Sequence, residues 1–357
     1  MKRIFFLGDT LLNNEPLGIQ RFAYEILREL DAIERDYDIE LVIPEDTVCK
    51  IEFNNIKIVR YGKYRSPFIW RQVSFPRYVR SQKGIAIDLT LGLVVLNHDI
   101  VGIFDCIYEK YPKDFRSVRE KIKRESYKLR AKFVIKHSKQ IITISNHSKA
   151  DILDCYKIPE DKITVIGCGW QHFQRVEEDY QIIQKLGLKE EKFVFALGSS
   201  LPHKNFEWIL RAARNNPEYK FVVTGTNRLS NYQSELKTND FKNLKFTGFL
   251  RDDEVKALMN ACILFLHPSL YEGFAIPPLE AIYSGADVAV SNATCLPEIF
   301  GKSVCYFDPL EELPNINELK NKQKAITEND RNNVLDMYSW RKSAIQVDQL
   351  FSSILRS

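Results

Sequence analysis

Short apolar runs alternate with stretches of helical periodicity along the whole chain. Arg3–Leu7 reads RIFFL, and residues 17–30 then place Phe22, Ile26, Leu27 and Leu30 along one stripe. The first suits a buried strand, the second a helix with one face in a core. The pattern repeats. Strands are expected at 39–43, 56–60, 86–90, 100–104 and 140–144, then at 193–197, 220–224, 244–246, 262–266, 288–290 and 304–306. Such regular alternation is the pattern of parallel α/β sheets. Asp252 or Asp253 is a good N-cap for the helix through Asn260, and Ser148 for the helix through Cys155. The charged segment 175–179 reads as a linker, so one domain is expected over 1–173 and a second over 174–338.

Size and composition agree. A length of 357 residues, 45% hydrophobic and 27% charged, suits about two soluble globular domains. No run approaches the roughly 18 apolar residues of a membrane span. The N-terminal MKRIFFLGDT reaches Asp9 too soon for a signal peptide. Seven cysteines are scattered singly, without CxxC spacing, which argues against a disulfide framework or a zinc site and for a reducing cytoplasm.

The charge is uneven. Residues 1–173 hold 29 Lys+Arg against 23 Asp+Glu, and the remainder 51 − 29 = 22 against 47 − 23 = 24. Residues 60–83 carry seven basic residues and no acidic one, interleaved with Tyr61, Tyr64, Phe68, Trp70, Phe75 and Tyr78; residues 110–139 carry twelve basic against three acidic. A charge run is usually a solvated face. Basic and aromatic residues together suit an anionic membrane surface, so a cytoplasmic protein peripheral on the inner face of the membrane is expected. Nucleic acid is the competing partner, but no recognised nucleic-acid module accompanies the charge.

Candidate chemistry concentrates in HPSLYEGFAIPPLE, residues 267–280. Glu272 lies in a loop after the strand, and Glu280 is expected in the first turn of the next helix. Pro277 and Pro278 suit its opening positions and Gly285 its end. Amides at such a helix start attract phosphate, while the two glutamates suit sugar hydroxyls at either end of a nucleotide sugar. Alone, an acid near a helix start merely complements the macrodipole. The loop Gly198-Ser199-Ser200-Leu201-Pro202-His203-Lys204 lies at the carboxyl end of a strand, where open α/β sheets bind ligands. Lys204 is placed there for a diphosphate, although a lone loop lysine is more often simply solvated. Gly248-Phe249 and Gly225-Thr226 occupy similar turns. Gly18 opens the first helix and permits close backbone approach, with Asn14 and Arg21 nearby.

EGFAIPPLEA at 272–281 closely resembles the signature of the retaining glycosyltransferases of family 4. That resemblance implies an α/β GT-B fold: two Rossmann-like domains facing across a cleft, with a C-terminal helix (339–357) packing back on the N-terminal domain. The first domain would bind the acceptor and the second the nucleotide sugar. It implies Glu272, Lys204 and Asp105 as catalytic residues. Donor contacts would come from Gly18, Gly198, Ser199, His203, Gly248, Phe249, Gly273, Phe274, Ala275 and Glu280. Neither a metal nor a cofactor is implied beyond the nucleotide-diphosphate sugar itself. The acceptor would be a saccharide or a lipid-diphosphate-linked saccharide of surface-polysaccharide synthesis. Three positions depart from the pattern: many relatives carry arginine at Ser199, a close subfamily carries it at His203, and a histidine often stands at Phe104. A deoxysugar donor would fit the last change. A non-catalytic nucleotide-sugar binder, a glycosidase using Glu272 and Glu280, and an epimerase of the same architecture are the alternatives.

Overall fold

In the computed structural model, which describes residues 2–12, 18–188, 192–199, 201–225 and 241–356, the strands gather into two parallel sheets. The first holds β1 (Arg3–Leu7), β2 (Asp38–Ile43), β3 (Lys57–Arg60), β4 (Ile85–Asp88), β5 (Ile100–Gly102), β6 (Gln140–Thr143) and β7 (Ile163–Val165), in the order β3-β2-β1-β4-β5-β6-β7. The second holds β8 (Phe193–Ala196), β9 (Lys220–Val223), β10 (Leu244–Phe246), β11 (Leu264–His267), β12 (Val288–Ser291) and β13 (Cys305–Phe307), in the order β10-β9-β8-β11-β12-β13. Central strands such as FVFA and LFLH are buried throughout, as sheets covered on both faces require. β7 escapes the sequence reading because it is a three-residue edge strand, only partly buried.

Each sheet belongs to its own compact unit: Met1–Cys168 with Trp340–Ser357, and Gly169–Ser339. The first therefore ends at Cys168 rather than at 173. The reason is local packing, since Trp170 lies 4.4 Å from Tyr283 and its indole N–H donates to Leu335 O (2.8 Å). Both partners belong to the second unit. The closing helix begins at Trp340, not 339, and packs on the first-unit helix Ile19–Asp31. Trp340 stacks edge-on against Phe22, and Phe351 against Phe6 and Tyr37. Ser343 Oγ donates to Gly167 O at 2.6 Å, and Tyr37 Oη to Asp348 at 2.6 Å.

Three local expectations are corrected. Cys262 ends the helix Asp252–Ala261, its N–H bonding Leu258 O, so β11 starts at Leu264 rather than 262. Arg251 is the N-cap there, placing Asp252 and Asp253 in the first turn, where acids complement the macrodipole. Ser145, not Ser148, caps the helix Asn146–Tyr156 by accepting from Ser148 N at 3.0 Å. The Ser148 hydroxyl instead donates to Phe104 O (2.8 Å).

The seven cysteines are free thiols, and burial pushes Cys262 up to about 12 and Cys305 up to about 11. No helix among the described residues is long and apolar enough to cross a membrane.

In both sheets strand order reverses at one point, between β1 and β4 and between β8 and β11. The crevice beyond the carboxyl ends of such strands is where doubly wound sheets take ligands. Phe351 is fully buried under the first sheet. Phe351→Ala should cost about 3–5 kcal/mol, read as a lower urea midpoint for the transition of the first unit.

Candidate active site

The crevice between β8 and β11 is built by two loops that hold each other. β8 runs into Gly198, where a Cβ would lie 2.0 Å from Thr224 O. Only glycine lets this strand end lie so close to its neighbour, and the Gly198 amide donates to Thr224 Oγ1 at 2.9 Å. Ser199 Oγ then accepts from Leu201 N (3.2 Å). A 3₁₀ turn, Pro202–Lys204, leads to Asn205 at φ 54°, ψ 46°, a left-handed conformation asparagine tolerates. Its side-chain amide donates to Pro268 O (3.0 Å) and Pro309 O (2.9 Å). Leu270 N donates to His203 O at 2.7 Å. The β8 loop is thereby fixed against the loop leaving β11.

That fixing brings Lys204 to Glu272. Lys204 Nζ lies 2.6 Å from Glu272 Oε1, and His267 Nε2 lies 2.9 Å from the same oxygen. Ser269 Oγ is 3.3 Å from His267 Nε2. The Glu272 main chain is held too: its N–H donates to Thr294 Oγ1 (3.2 Å) and its carbonyl accepts from Cys295 Sγ (3.2 Å). The Glu272 side chain is only 11% exposed. Burial pushes its carboxyl up, but the Lys204 charge and the His267 hydrogen bond outweigh burial and hold it well below the usual carboxylate range. Oε2 makes no hydrogen bond among the described residues, so a fixed anionic acceptor remains for a ligand hydroxyl.

The turn that follows is tight. Gly273 and Phe274 are buried, and Ala275 takes φ 72°, ψ 79°. A non-glycine residue there costs roughly 1–3 kcal/mol, the kind of strain found at ligand clamps. Ile276–Tyr283 is the next helix, ended by a Schellman pair: Gly285 N donates to Ile282 O and Ala286 N to Ala281 O, both at 3.0 Å. Because the helix starts at Ile276, Glu280 lies beyond its first turn, which corrects the sequence expectation. Pro277 and Pro278 also remove two of the opening amides. Glu280 is instead held by His172, whose Nε2 lies 2.7 Å from Glu280 Oε1 in a buried pair. Its Oε2 likewise makes no hydrogen bond among the described residues.

Other expected contacts fall differently. The Phe274 ring is core, packed edge-on against Tyr338 at 5.0 Å, so only its backbone can meet a ligand. Gly248 cannot read a base through its main chain in this arrangement, because its N–H and C=O both pair with Gly225. Phe249 beside it is 79% exposed and presents an open ring. His203 is buried. Asn14, Leu17, Ser200 and Thr226 lie outside the described residues. In the first unit Gly18 is the N-cap of its helix at φ 55°, with nothing within 4 Å of where a Cβ would lie, so glycine is required by conformation rather than by crowding. Arg21 is buried one turn on. Asp105 is half-buried and its Oδ1 accepts from Ile107 N (3.0 Å). Phe104 is a core residue, 4.9 Å from the Phe22 ring.

Sequence reasoning missed four residues. His267 and Thr294 flank Glu272, and of these only His267, five residues before the glutamate, left a readable signal. His172 is 108 residues from Glu280 and gave none. Asp9 follows β1 at the crevice of the first sheet; burial raises its carboxyl despite Arg71 Nε at 2.8 Å, and its Oδ1 has no hydrogen-bond partner among the described residues.

Residues 179–339 match the family model described as Glycosyl transferases group 1. O-antigen chain mannosyltransferase B of Escherichia coli is 30% identical over 223 residues, 59% of this chain and 56% of that protein. The UDP-Gal:alpha-D-GlcNAc-diphosphoundecaprenol alpha-1,3-galactosyltransferase of Escherichia coli is 30% identical over 206 residues, 54% of this chain and 53% of that protein. The chain spans about half the length of these relatives. Anabaena Alr3699/HepE in complex with UDP matches with a TM-score of 0.71 at 17% identity, covering 99% of this chain and 100% of that one. The chain therefore has the α/β GT-B fold, and the stretch of its second unit from 179 to 339 is similar to the glycosyl transferases group 1 family.

The pairing at Glu272 sets a pH dependence. Its carboxyl sits below its ordinary 4.5 in the folded protein, so its charge stabilises the fold fully above that value and progressively less below it. Between about pH 6 and about pH 3, the melting temperature of the wild type should fall more than that of Glu272→Gln, narrowing any gap between them.

Proposed function

We propose that this protein transfers a hexosyl group from a nucleotide-diphosphate sugar to a hydroxyl of a saccharide or lipid-diphosphate-linked saccharide, with retention of anomeric configuration. The observation that carries this reading is the Lys204–Glu272–His267 cluster at the β8/β11 crevice, in the unit that matches the transferase family. The names of the relatives make surface polysaccharide the natural setting and mannose the first donor sugar to test.

In this reading the diphosphate lies against Lys204 and the Gly273–Ile276 turn, whose positive charge and amides take up the negative charge developing on the leaving group. No metal is required for that task. Glu272 Oε2 accepts a hydroxyl of the donor sugar, and Glu280 Oε2 accepts the ribose hydroxyls. Phe249 offers its exposed ring to the base, while Ser199 and His203 shape the loop that carries Lys204. The bond from the anomeric carbon to the phosphate oxygen breaks as the acceptor oxygen bonds to the same face. The acceptor proton passes to the departing phosphate, so no protein base is needed. Asp105, in the first unit, serves the acceptor.

A panel of nucleotide-activated mannose, galactose and glucose, scored by thermal shift, should single out one donor, since a bound ligand raises the melting temperature by mass action. With that donor, Glu280→Ala should weaken binding roughly tenfold or more, the effect of losing hydrogen bonds to a charged group. Glu272→Ala should lower kcat by roughly 10²–10³, as for other groups that act in the transition state. Transfer at wild-type rates by both variants would show the assignment to be wrong.

A further inference from the structure

Two donors meet one acceptor atom at the β8/β11 crevice. Lys204 Nζ and His267 Nε2 both lie within hydrogen-bond distance of Glu272 Oε1, at 2.6 and 2.9 Å. A carboxylate oxygen only accepts, so Nε2 carries the ring hydrogen that points at Glu272. The two donors differ in how they are held. His267 ends β11, its side chain is 10% exposed, and Ser269 Oγ lies 3.3 Å from the same nitrogen. Such a short, rigid ring has little freedom to turn elsewhere. Lys204 ends a 3₁₀ turn, its side chain is 30% exposed, and Glu272 is its only hydrogen-bond partner among the described residues. A flexible four-carbon stem lets its ammonium swing without moving the backbone.

A diphosphate in this crevice competes with Glu272 for Lys204. It carries more charge than one carboxylate and offers several oxygens, so the ammonium gains by turning to it. That turn strips Glu272 of half its support. The carboxylate keeps its burial, loses a cation and gains an anion as neighbour. A carboxylate so placed takes up a proton or moves, unless another donor stays on it. At Oε1 the donor that stays is the His267 N–H. Thr294 Oγ1 and Cys295 Sγ hold only the main chain, and burial keeps the Cys295 thiol protonated.

We infer that His267 is the positioning residue of this crevice, holding Glu272 in place and ionised while Lys204 changes partner from Glu272 to the diphosphate. The Lys204–Glu272 ion pair is the contact that binding breaks, and the His267–Glu272 bond is the one it preserves. The inference rests on the reading that the crevice takes a nucleotide diphosphate, and adds to it a residue that touches neither phosphate nor sugar.

Isothermal titration calorimetry of the full chain with ADP, GDP, UDP and dTDP tests both halves. Glu272→Gln removes the carboxylate that competes for Lys204, so it should tighten binding of the preferred diphosphate roughly two- to fivefold, the strength of a part-exposed ion pair. The gain should be smaller on top of Lys204→Met. Titrations at about pH 5.5, above the ordinary carboxylate range, in buffers of different ionisation enthalpy count the protons taken up on binding. His267→Asn, whose amide falls short of Oε1, should take up more protons than wild type, by up to about one. His267→Gln, whose amide reaches about as far as Nε2, should restore the wild-type count. A purely structural role would leave that count unchanged in both variants. If none of the four diphosphates binds, the transfer reading fails and the inference with it. If one binds but Glu272→Gln does not tighten it, the inference alone is overturned. The same holds if His267→Asn takes up no more protons than wild type, or if His267→Gln takes up as many as His267→Asn.

Discussion

A single carboxylate oxygen organises the second unit. Lys204 reaches it from the loop after β8 and His267 from the end of β11, while Thr294 and Cys295 hold the Glu272 main chain from behind β12. Three strand ends are therefore tied at the point where strand order reverses. A buried carboxylate without such partners would be protonated or expelled. With them it stays charged and fixed, which is the condition for recognising a hydroxyl by geometry rather than by adjustment.

The same economy appears in the backbone around it. Gly198 allows two strand ends to approach, Asn205 and Ala275 accept left-handed geometry, and two prolines strip amides from a helix start. Each departure from regular structure lies within a few residues of Lys204 or Glu272. Strain and special residues collected in this way mark where the fold gives up regularity for a ligand.

Much of this was legible in the sequence, and the failures have physical causes. Apart from β7, the strands appeared as apolar runs, because parallel strands buried on both faces carry a continuous signal. β7, short and at an edge, did not. Glu272, Glu280 and Lys204 were legible because they sit in dense local motifs. His172 was not, since its pairing with Glu280 spans most of a domain and leaves no local spacing. Interleaved aromatics at 60–83 looked like surface because the basic residues between them hid a helical period. That period puts Trp70, Phe75 and Tyr78 inside and Phe68 outside.

The closing helix has a consequence for the order of assembly. Residues 340–356 complete the first unit, with Trp340 and Phe351 filling its interior and Lys2 bonding Leu355 O. Yet they emerge from the ribosome after the whole of the second unit. Domains generally fold as they emerge, so the second unit is finished while its predecessor still exposes the groove that Phe351 will fill. The half of the molecule made first is the half that matures last.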